Sequence, residues 1–142
     1  MAGRSPAVIA AEDLARRGQV GAAVRACYDA LALGDRGAHV HALLASLMLD
    51  GDFYDEAIAE ATAAIESDPD CSPAYLALGL AYDRRGGMSD QSVLVWHELA
   101  EVVPDLVTAH VQLGEAFSAA AFDEEAVGSW KRALELDPRE SR

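Results

Sequence analysis

A chain of 142 residues is enough for one domain that buries roughly 70% of its unfolded surface. Hydrophobic residues make up 51% and charged residues 25%, which excludes a disordered tail and a membrane protein alike. The net charge of −13 is uneven: residues 1 to 37 carry five Arg against four acids, and residues 38 to 142 carry six Lys or Arg against twenty acids. A field of that sign repels phosphate, so nucleic acid and anionic membrane are disfavoured ligands and a basic protein segment is favoured. The bland alternative is that the acids only keep helix surfaces soluble.

In chain order, Ser5-Pro6 offers a cap and a first-turn proline, and Val8, Ala11, Leu14 and Ala15 share one side of a helix ending near Arg17. Gly18 stops it, and a second helix runs from about Val20 to Leu33 with Ala23, Cys27 and Ala30 inward. The next pair places His41, Leu44, Ala45 and Met48 on its first helix, and Ala57, Ala61 and Ala64 on a second that begins near Tyr54 and closes at Asp68-Pro69. The Gly51 to Ile58 turn reads as carrying one inserted residue. An ungapped register is kept because it puts small Ala45, rather than Leu44, at the closest helix crossing.

Ser72-Pro73 caps a third pair with Tyr75, Leu78, Gly79 and Tyr82, then Ser92, Trp96, Leu99 and Pro104. One extra residue is placed in the turn Arg85-Gly86-Gly87-Met88-Ser89, where glycines relax the backbone and Ser89 caps the next helix. The fourth pair has His110, Leu113, Gly114, Phe117, Ala126, Trp130, Ala133 and Pro138. Prolines 69, 104 and 138 are separated by 35 and 34 residues.

Small residues where helices touch, large ones in the gaps and a closing proline resemble the tetratricopeptide repeat, whose unit recurs about every 34 residues. His110 stands where that pattern has tryptophan. The resemblance implies an all-α, right-handed solenoid of antiparallel helix pairs. It comprises three clear repeats and one degenerate amino-terminal repeat in a single domain, 1–142, with units near 4–37, 38–71, 72–106 and 107–140. The first unit lacks the Leu-Gly pair and has Asp35 in place of the closing proline, as a terminal repeat can.

The resemblance further implies an inner face formed by the first helix of each pair. Carried over by position, it holds Val8 and Glu12, then His39, Ala42, Ser46 and Leu49, then Pro73, Leu76, Leu80 and Asp83, then Val111 and Glu115. The partner-binding set expected is Ala42, Ser46, Leu49, Leu76, Leu80, Asp83, Val111 and Glu115, with leucines receiving apolar side chains and the acids meeting a basic neighbour. The positions that one branch of the family fills with Lys, Asn and Arg to hold a terminal carboxylate contain no Lys or Arg here, so that ligand is disfavoured. The last helix leaves Val127, Leu134 and Leu136 for another subunit or partner.

Catalytic and metal motifs are absent from the string. His39 and His41 point about 200° apart on a helix and do not chelate one metal together, and no phosphate loop, HExxH or GxSxG occurs. Acid pairs Asp55-Glu56 and Glu124-Glu125 begin helices, where the dipole favours them. Cys27 and Cys71 lack CxxC spacing, so neither a zinc site nor a disulfide framework is expected; Cys27 reads as a small buried hydrophobe and Cys71 falls in a loop. Neither a signal-peptide core nor a run of ~18 apolar residues is visible, which makes a cytoplasmic address the expectation. The reading is a non-catalytic adaptor or scaffold, without cofactor, that binds another protein or peptide. The alternatives are a small acidic secretion chaperone shielding an apolar client, and a self-assembling subunit that forms a homo-oligomer.

Overall fold

The structure, a computed structural model, describes residues 6–34, 37–87 and 89–138, and of Ser89 the backbone alone. The described residues contain eight helices and no strand: α1 (Pro6–Arg16), α2 (Val20–Ala32), α3 (Ala38–Asp50), α4 (Tyr54–Ser67), α5 (Ser72–Arg85), α6 (Ser89–Val102), α7 (Val107–Ala119) and α8 (Asp123–Leu136). Helices α4, α6 and α8 each stop two residues before a proline, at Pro69, Pro104 and Pro138. A proline disfavours helical backbone in the residue before it, which sets the stop. Ser5 and Asp35, and the side chain of Ser89, lie outside the described residues. At α5 the Ser72 cap is displaced by one residue: Ser72 is already helical, and the Cys71 carbonyl accepts the first N–H groups, from Ala74 at 3.1 Å and Tyr75 at 3.4 Å.

The chain divides into two compact units, residues 1–81 and 82–142, with the boundary inside α5. In unit 1, α1, α2 and α3 share a core of Val8, Ala11, Ala23, Cys27, Ala30, Val40, Leu44 and Leu47. Ala42, Ala64 and Ala74 form a second cluster, and Leu49, Ala57 and Ala81 a third, which join α3, α4 and the first part of α5. Alanine predominates because helix backbones meeting at a close crossing leave room for a methyl group and little more. In unit 2, α7 packs on both α6 and α8. Trp96 and Leu99 are fully buried, and Ala109, Leu113, Gly114, Ala126 and Ala133 are buried with them.

Three of the four hairpin turns have one geometry. Gly18, Asp52 and Ala121 adopt φ of 78°, 64° and 67°, and the following N–H reaches back five residues: Gln19 to the Leu14 carbonyl, Phe53 to Met48 and Phe122 to Phe117, at 2.9, 2.8 and 2.8 Å. This is the left-handed helix stop that satisfies the last free carbonyls. In each case the next helix begins two residues after the left-handed one. No residue is therefore inserted in the Gly51 turn, which corrects that expectation. Asp52 and Ala121 occupy the same turn position, and Ala45 falls at the register of Gly114, as the ungapped reading has it. The fourth turn differs: Gly86 and Gly87 both have positive φ, 79° and 70°, and α6 begins at Ser89. Counted from Gly86 that is three residues rather than two, which puts the extra residue of the third unit in this turn.

Candidate partner-binding surfaces

The pattern positions explain two polar anchors. Tyr75 Oη donates to the Pro69 carbonyl at 2.8 Å, and His110 Nε2 donates to the Pro104 carbonyl at 2.8 Å. Each donor sits six residues after the proline that closes the preceding helix. His110 is thus a tyrosine equivalent: an apolar ring body with a polar tip at the right reach. In the second repeat His41 turns instead to α4, where its Nδ1 lies 2.8 Å from Glu60 Oε1.

Among the residues expected to hold a partner, the structure gathers some and removes others. Ser46 and Ala42 of α3 line a cavity of about 220 Å³ with Glu12 of α1, His39 and Leu43 of α3, and Cys71 and Pro73 at the start of α5. Ala42 contributes only a sliver of surface, being packed against Ala64 and Ala74. Leu49 is not a surface residue; it is buried against Ala57 and Ala81, and Leu80 packs beside it half-buried. Val8 is fully buried in the α1–α3 core. Neighbouring helices explain both corrections: Leu49, seven residues and about 20° round from Ala42, shares its buried side against α4 and α5, and Val8 faces α2 and α3. Leu76 is half-buried.

In unit 2, Asp83 is exposed and accepts the Trp96 indole N–H at 3.0 Å, so one of its oxygens is engaged. Asp83 lines a second cavity of about 250 Å³ with Tyr82, Gly86, Gly87, Ser92, Ala116 and Ala119. Val111 is half-buried and Glu115 exposed, both on α7. On α8, Val127 is 46% exposed, Leu134 is 37% exposed and Leu136 is half-buried. Trp130, 37% exposed, lies between Val127 and Leu134 on the same helical face. The sequence pattern makes Trp130 a packing residue opposite Gly114, and it is only partly that: a Cβ on Gly114 would come within 2.3 Å of Trp130 Nε1, so one edge of the indole covers the α7 backbone and the rest remains outside.

Burial disfavours the thiolate at both cysteines. Burial first, and then the negative charges of Glu12 and Glu60, push Cys27 from 9.0 up to about 11. Cys71 is also raised, mainly by burial, with the Ala74 N–H opposing and Asp68 adding to the shift. Among the described residues, no group of three or more His, Cys, Asp or Glu side chains is placed to hold a metal, and no helix is long and apolar enough to cross a membrane.

No protein-family model matches the chain, and no curated protein matches it. Solved structures do. The crystal structure of MamA has a TM-score of 0.87 at 23% identity, over 95% of this chain and 78% of that one. MamA from residue 41 to its end, from Desulfovibrio magneticus RS-1, gives 0.83 at 20% identity over 96% and 77%. YrrB, described as a tetratricopeptide-repeat protein with an unusual peptide-binding site, gives 0.80 at 17% identity over 91% and 66%. Likeness at these identities is likeness of fold. The chain has the tetratricopeptide-repeat fold, an all-α solenoid of helix pairs.

Proposed function

We propose that this helical-repeat chain is a non-catalytic adaptor in which the face carried by α1, α3 and the start of α5 holds an apolar segment of another protein that bears a basic residue. The observation that supports the reading is the cavity around Ser46. Residues from three successive repeats, Glu12, His39, Ser46 and Pro73 among them, meet there although they are up to 61 positions apart in sequence. It has apolar walls from Ala42, Leu43 and Pro73 and a carboxylate from Glu12, and no Lys or Arg lines it. An aliphatic side chain fits the walls and contributes ~2 kcal/mol, while an ion pair to half-buried Glu12 at the cavity contributes about 1 kcal/mol and fixes direction. Half-buried Leu76 and Leu80 belong to the same proposal as further contact positions of unit 1; in unit 2, half-buried Val111 and exposed Asp83 and Glu115 are proposed as contact positions in their own right. A cytoplasmic setting is part of it, and the free thiols Cys27 and Cys71 suit a reducing compartment.

The test is a photo-crosslinker at Ser46 in the native cell. It should capture one partner whose cross-linked segment is apolar and basic, and Ser46→Arg should abolish co-purification of that partner. Undiminished co-purification with Ser46→Arg would remove this face from the account.

A second reading, self-association through α8, is favoured by the exposed Val127, Trp130 and Leu134. Light scattering decides it: a mass above the monomer that Val127→Glu plus Leu134→Glu returns to monomer supports it, and a monomer at every concentration ends it.

A further inference from the structure

A larger cavity, about 500 Å³, opens on another side of α3 within unit 1. Val24 and Tyr28 of α2 form one wall, Leu47 and Met48 of α3 the floor, and Phe53 with Glu56 the other wall at the start of α4. None of these residues belongs to the cavity around Ser46. A Cβ on Gly21, at the α2 rim, would meet nothing within 4 Å, so the gap is open space rather than a close helix crossing. Its volume lies in the range of ligand pockets, roughly 300–1,000 Å³.

Two aromatic rings stand at its edges largely uncovered: Tyr28 is 48% exposed and Phe53 56% exposed. The lining is apolar except for the Tyr28 hydroxyl and the Glu56 carboxylate. Asp52, in the turn before α4, and Asp55, in the first turn of α4, are also exposed. The wider field has the same sign: between Arg36 and Arg84 the chain has nine Asp or Glu and no Lys or Arg. α2 contributes one cation, Arg25, beside Val24 and next to Asp29 in the helical sense, four residues on.

We propose that this groove is a second docking surface, for a cationic segment of another protein that inserts one aromatic or long aliphatic side chain between Tyr28 and Phe53. The apolar floor takes the inserted side chain. The faces of the two rings attract a flanking Arg or Lys through their quadrupoles, and Glu56, Asp52 and Asp55 attract it by charge. An acidic segment meets the opposite field and is rejected. The proposal stands apart from the Ser46 cavity, so the chain can hold two segments at once.

The experiment uses the full chain and two fluorescein-labelled twelve-residue peptides, each with one central Trp and two Leu. One carries Arg at the remaining polar positions and the other Glu. Anisotropy at low and physiological salt, with amide chemical-shift mapping, reads affinity and place. The Arg peptide should bind and the Glu peptide should not, with shifts centred on Val24, Met48 and Phe53. Tyr28→Ala plus Phe53→Ala, both exposed side chains whose removal far-ultraviolet circular dichroism should show to be harmless, should weaken binding about tenfold or more, equivalent to ~1.4 kcal/mol. Glu56→Arg should weaken it several-fold with a shallower salt dependence, and Ser46→Arg should leave it unchanged. The proposal is overturned by any of four results: no binding up to about 1 mM, equal affinity of the aromatic double variant, shifts confined to the Ser46 cavity, or a homodimer whose formation the aromatic double variant abolishes.

Discussion

The α3–α4 hairpin of unit 1 and the α7–α8 hairpin of unit 2 make the same turn and fill their helix crossings differently. In α3–α4 small residues line the second helix, where Ala64 packs on Ala42 and Ala57 on Leu49, while the bulky Val40, Leu44 and Leu47 of α3 are buried against α1 and α2. In α7–α8 the first helix gives way at Gly114 and the second supplies Trp130. Ala61 and Trp130 hold one repeat position, seven residues into their helices, yet the first is fully buried and the second 37% exposed. The two hairpins share the left-handed residue at the turn and differ in what fills the crossing: alanines in one, an indole edge over a glycine in the other.

The largest test of that comparison is at the tryptophans, both of which lie in unit 2, so their fluorescence reports that unit alone. Trp96→Ala, from a fully buried site, should cost about 3–5 kcal/mol in urea unfolding, and Trp130→Ala, already part exposed, distinctly less. Equal losses would break the distinction.

Next comes the crossing itself. Gly114→Ala gains helix propensity of about 1 kcal/mol but drives Cβ into the indole, for a net loss of about 1–2 kcal/mol. Adding Trp130→Ala, which recreates the Ala45 and Ala61 arrangement, should cost less in that background than alone, a coupling of at least about 0.5 kcal/mol in a double-mutant cycle. Strict additivity would show that the two sites do not share volume.

A smaller effect separates the units by pH. Cys27 keeps its proton in the fold up to about 11, whereas an unfolded thiol loses it near 9.0. Its contribution is complete below pH 9 and declines as pH rises through 9 to 11, because the folded state then binds more protons than the unfolded one. Thermal unfolding followed by circular dichroism should show this alkaline loss in wild type and a shallower one in Cys27→Ala. Smallest of all, Ala121→Gly relieves a left-handed alanine and should stabilise unit 2 by about 0.5–1 kcal/mol; Asp52→Gly should give less, because Asp tolerates that conformation.

The repeat spacing, the inward alanines, the burial of Cys27 and the place of the extra residue were legible in the sequence because each follows from one helix period or one glycine pair. The role of His110 was half legible: its slot was evident, its bond to the Pro104 carbonyl was not, since the acceptor lies on the loop before the helix. Leu49 misled because inner-face numbering treats a helix as straight and free, while its last turn packs on Ala57 and Ala81. The groove at Tyr28 and Phe53 was hidden for the opposite reason. Its lining comes from three helices and a turn, and Val24, Leu47 and Met48 carry the same apolar signature whether they fill a core or floor an opening.

The doubled glycine after α5 shows where this architecture absorbs a change in length. The surplus falls beside two glycines in left-handed backbone, and beyond it α7 still packs on both α6 and α8. A short epitope or dye tether spliced between α5 and α6 should therefore be carried silently, whereas the same graft at Asp52 or Ala121 would have to break a helix stop to enter.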